Sequence, residues 1–273
     1  MKRKNIFFDA DGTILDIEKG VPADTADALF QLKQNGHRIF LCTGRGRSYI
    51  TSGVEKIGFD GMITNLGAYM EYHGKELFRR EIDPETARKT VEILRANRFV
   101  PVLEGVEYTY YDPEEYTTEI DWFADLITRD LQNRHRPIRR NEDNLHFNKI
   151  SAKKTPGCTP EQLCRMLSPW YDYIIHKGGI AARTIEFVAK GCSKGLSLCV
   201  LCGVLGIEKQ DTISFGDSNN DLPMFRVTGT RVAMGDGTDA LKAEADLVTD
   251  PLWEGGVPNA LKRGCRLIPN FNP

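Results

Sequence analysis

The segment Ile6–Asp16 reads IFFDADGTILD, an apolar run that stops at Asp9, Asp11, Gly12 and Thr13. Two carboxylates stand two residues apart where a buried strand would end. Open α/β sheets bind their ligands just beyond the carboxyl ends of strands. A carboxylate there can attack a phosphoryl group as a nucleophile and can also serve a hard cation as an oxygen ligand. Asp9 fits both roles. Asp11 faces the same way and can give a proton to a leaving oxygen. Gly12 permits the sharp turn that exposes the pair. The opening Asp-x-Asp-Gly is shared with calcium loops, but the glycine comes too early and no glutamate closes such a loop. Alone, the motif also suits a polar turn with an Asx hydrogen bond.

Three further clusters bear on the same chemistry. Thr43-Gly44-Arg45 ends the run RIFLC. A hydroxyl and backbone amides at a strand-to-helix turn suit phosphate oxygens. Gly216–Asp221, GDSNND, ends the run TISFG, and Asp217 is placed to complete a Mg²⁺ site with Asp9. Lys194, in GCSKGLS, opens a helical pattern. Cations are disfavoured at helix N-termini, so its position implies an anionic partner. Each cluster alone suits an ordinary turn or a solvated lysine; in one α/β chain their strand ends converge.

The surrounding pattern supplies that chain. Short apolar runs at Asn5–Asp9, Arg38–Cys42 and Gly61–Thr64 alternate with helical spacing over Pro22–Asn35 and Ser48–Ile57. Such alternation means βαβ units and a parallel sheet. A hairpin follows at Glu71–Leu77, then a helix at Pro84–Asn97 with Asp83 as N-cap. Phe99–Tyr111, Phe147–Ala152, Tyr173–His176 and Thr184–Val188 read as strands, with a helix near Thr159–Leu167. After Lys194 the first texture returns: a helix to Leu205, strands at Thr212–Gly216, Arg231–Met234 and Asp246–Val248, and helices at Leu222–Phe225 and Thr238–Ala245. The layout is a Rossmann-like parallel-sheet α/β core interrupted by an inserted α+β domain.

The chain of 273 residues has a formal net charge of −2, which argues against nucleic acid as a partner. No stretch approaches the length of a membrane span. The start, MKRKNIFFDAD, is basic then apolar, but the apolar run is too short for a signal peptide. Seven scattered cysteines suit reduced thiols and a cytoplasmic setting. Cys199 and Cys202 form a C-x-x-C inside an apolar helical run and read as buried thiols.

The motifs DADGT, TGR, SKG and GDSNND together resemble the haloacid dehalogenase superfamily, and more narrowly its Cof-type phosphatases with a C2-type cap. Arg231–Gly235, Ala245–Thr249 and Gly255–Val257 extend the likeness over nearly the whole core. The resemblance implies a catalytic core of residues 1–82 and 188–273 and a substrate-specificity cap of residues 83–187 that closes over the substrate. It implies Asp9 as nucleophile and Mg²⁺ ligand. Asp11 would be general acid and base, with its carbonyl on the metal, and Asp217 the third protein ligand. Thr43 and Lys194 would hold the phosphoryl group, with Gly44, Arg45 and Asn220 around the phosphate. Asp221 would orient Lys194 or a metal-bound water. The implied function is a Mg²⁺-dependent phosphatase of small phosphorylated metabolites, working through an aspartyl-phosphate. Sugar phosphates are the leading class, ahead of nucleotides, pyridoxal phosphate and flavin mononucleotide. A phosphotransferase or mutase on the same scaffold, or a non-catalytic phospho-ligand sensor, are the alternatives. No obligate protein partner is indicated. Two departures from the family pattern stand out: Leu66 where asparagine is common, and Asp236-Gly237 where Asn-Ala is usual.

Other residues carry weaker signals. Tyr108–Tyr111 and Tyr116 read as half-buried strand residues. Arg129, Arg134, His135, Arg136, Arg139 and Arg140 read as a solvated, partly disordered loop in preference to a steering patch. Arg45 and Arg47 are better placed to meet a second anionic group. Arg183 and Glu186 are left without a role, and His146 and His176 read as structural.

Overall fold

The structure is a computed structural model and describes residues 2–115, 131–175 and 180–263. Tyr116, Arg129 and His176 lie outside these residues. The chain divides into two compact units. One comprises residues 1–44, 52–77 and 193–273; the other comprises residues 45–51 and 78–192.

The first unit is built on β1 (Asn5–Phe8), β2 (Arg38–Cys42), β3 (Gly61–Thr64) and β4 (Tyr69–Tyr72). Alongside them run β12 (Thr212–Gly216), β13 (Thr230–Ala233) and β14 (Leu247–Val248). The sheet order is β14-β13-β12-β1-β2-β3-β4, continued at its edge by β5 (Lys75–Arg79). Neighbours from β14 to β3 are parallel, and β4 returns antiparallel to β3. Strands buried on both faces must be apolar throughout, which is why NIFF, RIFLC and TISFG carry almost no alternation. Phe7 stacks on Phe40 at 4.7 Å and Phe8 on Phe215 at 4.9 Å across adjacent strands. Each such pair adds directional packing to the area it buries.

The helix Lys194–Leu205 buries Leu198 and Leu201 against the sheet and leaves Leu196, Val200 and Val204 exposed. Its C-x-x-C corrects the sequence reading: Cys199 is exposed and Cys202 half-buried. Burial still pushes the Cys202 thiol up to about 12, the wrong direction for a reactive thiolate. A helix over Gly256–Arg263 closes this unit and was not expected from sequence.

The single helix expected at Ser48–Ile57 is two pieces, a 3₁₀ turn at Arg47–Tyr49 and a helix at Ser52–Glu55. The first piece belongs to the second unit, which anchors it. Glu104 Oε2 accepts from Gly46 N at 2.7 Å, Ser48 Oγ donates to Gly105 O at 2.9 Å, and Arg134 Nη2 donates to Ile50 O at 2.7 Å. These bonds end the helical run at Tyr49.

The second unit holds a mixed sheet ordered β10-β11-β9-β6-β7-β8. Its strands are β6 (Phe99–Glu104), β7 (Thr109–Tyr110), β8 (His135–Arg136), β9 (Lys149–Lys154), β10 (Tyr171–Ile175) and β11 (Thr184–Ala189). The helices Pro84–Ala96 and Pro160–Leu167 cover one face. Asp83 caps the first, accepting from Thr86 N at 2.9 Å. Leu103, Ile150, Ala152, Ile185 and Phe187 point into that layer with Val91, Leu94 and Leu163. The alternation of β9 sends Lys149, Ser151 and Lys153 to the opposite face. The described part of the basic stretch is tied down, not a loose loop. Besides the Arg134 bond, Arg136 lies 4.0 Å over the Tyr108 ring and Arg139 pairs with Asp112 at 3.7 Å.

Candidate active site

Three strand-end turns of the first unit meet at one place. Asp9 follows β1, and its amide donates to Phe215 O at 3.0 Å, continuing the ladder one residue past the strand. The next turn is tight: Gly12 N donates to Leu15 O at 2.9 Å. Gly12 has φ 73°, and a Cβ there would stand 2.5 Å from Asp217 Oδ2, so only glycine lets the two turns approach this closely. Thr43 follows β2 and is buried, with its amide donating to Ile63 O at 2.9 Å. Asp217, Asn220 and Asp221 follow β12.

Lys194 joins these turns. Ser193 caps its helix, accepting from Leu196 N at 3.2 Å. The Lys194 side chain is fully buried and donates to Asp9 Oδ1 and Asp221 Oδ1, both at 2.7 Å, and to Asn220 Oδ1 at 3.1 Å. Burial opposes its charge, yet Asp221 and Asp9 hold the ammonium above its ordinary value. A cation at a helix N-terminus is thus balanced by carboxylates.

Asp221 has both oxygens engaged: Oδ1 by Lys194, Oδ2 by Asp217 N and Ser218 N at 3.1 Å each. Asp217 is the opposite case. Its Oδ1 is buried with no hydrogen-bond partner. Burial first, then the charge on Asp9, drives the Asp217 carboxyl well above the ordinary carboxylate range. Burial and the charge on Asp221 push Asp9 up to about 7 against the pull of Lys194. A buried acceptor with nothing to accept from calls for a cation or a proton.

One oxygen each from Asp9, Asp217 and Asp221 lies within 4.8 Å of the others. The donors are all carboxylate oxygens, the set that suits Mg²⁺ and not a soft metal. With Asp221 committed to Lys194 and the backbone, Asp217 and Asp9 are the carboxylates able to hold the ion. The residues fit the cation that the family implies.

Of the residues singled out in sequence, Asp9, Gly12, Thr43, Gly44, Lys194, Asp217, Asn220 and Asp221 all belong to the first unit, as does Asp11. Arg45 belongs to the second, where it is buried over the Tyr49 ring at 4.8 Å. Sequence reasoning missed the backbone of Asn65 and Leu66, whose φ values of 53° and 54° are both left-handed. Asparagine visits that region often and leucine rarely, so residue type marks Asn65 only weakly and the backbone of Leu66 not at all.

The chain belongs to the haloacid dehalogenase-like hydrolases, whose family profile matches residues 6–261. Its core and inserted cap are those of the Cof-type members, and its enzyme class is that of the phosphoric monoester hydrolases. The putative phosphatase YkrA of Bacillus subtilis is 27% identical over 96% of this chain and 98% of its own length. The 5-amino-6-(5-phospho-D-ribitylamino)uracil phosphatase YwtE of the same organism is 24% identical, covering 93% of this chain and 95% of its own. The crystal structure of a hypothetical protein from Geobacillus kaustophilus superposes with a TM-score of 0.81 at 27% identity, over 98% of this chain and all of that one. No helix among the described residues is long and apolar enough to cross a membrane.

Proposed function

We propose that the protein is a Mg²⁺-dependent phosphatase of small phosphorylated metabolites, sugar phosphates foremost, that works through a phosphoryl group carried on Asp9. The observation that carries this reading is the contrast between Asp221, with both oxygens engaged, and Asp217, whose buried Oδ1 has no partner beside Asp9.

When bound, Mg²⁺ would be held by Asp9 and Asp217, with the Asp11 carbonyl, and would offset the charge of the phosphoryl oxygens and the carboxylates. Lys194 fixes Asp9 Oδ1, which leaves Oδ2 to attack phosphorus. The bond from phosphorus to the substrate oxygen breaks as the new one forms, and Asp11 gives its proton to the departing alcohol. Asp11 then takes a proton from the water that attacks phosphorus, releasing phosphate and restoring the Asp9 carboxylate. Thr43, Gly44 and Asn220 bind phosphoryl oxygens, Asp221 positions Lys194, and Arg45 meets a second anionic group. The cap of residues 83–187 is the substrate-specificity domain. A sugar-phosphate class is supported by the phosphoribityl compound for which the relative YwtE is named. The six described cysteines are all free thiols, which supports a cytoplasmic setting.

The test is phosphate release from a panel of phosphorylated metabolites with and without Mg²⁺. Mg²⁺-dependent release, fastest with sugar phosphates, is expected. No release from any member, or transfer of the labelled phosphoryl group to an acceptor other than water, overturns the proposal.

A further inference from the structure

The turn after β3 lies against two of the groups read above as phosphate-binding. Leu66 N donates to Thr43 O at 3.3 Å. A Cβ built on Gly44 would lie 3.3 Å from Leu66 Cδ2 and 3.6 Å from the Asn220 amide nitrogen, so Gly44, Leu66 and Asn220 converge on one point. The same turn reaches the lysine helix, where Ser197 Oγ donates to Gly67 O at 2.7 Å. Thr43, Gly44, Asn220 and the helix of Lys194 thus all adjoin one three-residue turn.

That turn is held at a cost. Asn65 and Leu66 are both left-handed. Asparagine tolerates this backbone, but a leucine does so rarely, because its Cβ crowds the following carbonyl. Both residues are buried. Thr64 Oγ1 donates to Asn65 Oδ1 at 2.8 Å, and Ala68 N donates to Asn65 O at 3.1 Å. Non-glycine residues kept in this region gather where function overrides local preference. The strain aims the Leu66 side chain at Gly44.

We propose that Leu66 is a positioning residue for phosphoryl binding: its side chain backs Gly44 and sets the spacing between the Thr43-Gly44 turn and the Asn220 amide. An aliphatic group there also keeps water from competing for those donors. The proposal rests on the assignment of Thr43, Gly44 and Asn220 to the phosphate.

The experiment compares Leu66→Ala, Leu66→Met and Leu66→Asn with the wild type, measuring Mg²⁺-dependent kcat and KM on one active substrate and the inhibition constant of orthophosphate. Leu32→Ala, a truncation at a buried position on the helix Ala23–Gln34, is the control for lost packing. Slack in a binding turn is expected to raise KM and the orthophosphate constant together by about tenfold in Leu66→Ala, with kcat changed less. Leu66→Met restores most of the affinity, and Leu66→Asn does not. Leu32→Ala lowers the unfolding temperature and leaves the orthophosphate constant unchanged. Should Leu66→Ala fail to fold, Leu66→Asn decides. A folded Leu66 variant other than methionine that keeps the wild-type orthophosphate constant overturns the proposal. If the wild type itself shows no competitive inhibition by orthophosphate, the assignment of the phosphate-binding groups fails instead.

Discussion

Lys194 in the core and Lys149 in the cap are both buried lysines, and each donates to two carboxylates. Their surroundings differ. Around Lys149 the bonds close on themselves: Glu104 at 2.8 Å, Glu186 at 2.8 Å and Ser151 Oγ at 3.3 Å take its protons. Ser151 Oγ and Gly46 N also donate to Glu104. Two lysines, 149 and 153, face two glutamates. Around Lys194 three carboxylates face one ammonium, and Asp217 Oδ1 is left without a donor. A closed polar network fixes a conformation. An open one of excess negative charge invites a cation. Buried charge by itself therefore does not mark a catalytic centre; its imbalance does.

The comparison can be broken first at Asp9. Asp9→Asn keeps the fold, because the amide can still accept from Lys194, but removes the nucleophile. Phosphate release should fall by about 10⁴-fold or more with an unchanged far-ultraviolet circular dichroism spectrum. Lys149→Met probes the closed cluster. It leaves Glu104 and Glu186 buried without their ammonium and should cost about 3–5 kcal/mol in urea unfolding. Unchanged stability would mean the cap network is not balanced as described.

Asp217→Asn removes charge at the open position. Activity at fixed Mg²⁺ should drop about a hundredfold and recover in part as Mg²⁺ is raised. A drop that Mg²⁺ does not relieve contradicts a metal role for Asp217.

The smallest effect concerns Lys153, which donates to Thr184 Oγ1 at 3.1 Å. Burial, helped by the charge on Lys149 and opposed by Glu104, pushes its ammonium down to about 7. Between pH 7 and its ordinary value the unfolded chain binds a proton that the folded chain does not. Stability therefore rises with pH across that window and is lost as pH falls toward 7. Lys153→Met should flatten this rise by about 1–2 kcal/mol between pH 7 and about pH 9, read from urea unfolding at each pH. A rise as steep as in the wild type contradicts the assignment.

Much of the core was legible because parallel strands announce themselves. RIFLC and TISFG are unbroken apolar runs that stop at polar turns, and the helix Lys194–Leu205 starts at a serine cap and ends at Gly206. The break in Ser48–Ile57 was not legible, because the bonds from Glu104, Gly105 and Arg134 that stop the helix come from distant segments. The exposure of Cys199 was hidden for a related reason: KGLSLCVLCGVL is apolar on every side, so spacing could not say which face meets solvent. At the site, residue types marked Asp9, Thr43 and Asp217 as strand-end groups. The left-handed turn at Leu66 left no mark, since leucine carries no signal for that backbone.

The most direct test of the open cluster around Lys194 is mass spectrometry of peptides from enzyme quenched in acid during Mg²⁺-dependent turnover. The account predicts one added phosphoryl group on the peptide that contains Asp9, and none when Mg²⁺ is withheld. Full turnover with the phosphoryl group recovered on a different residue would contradict it.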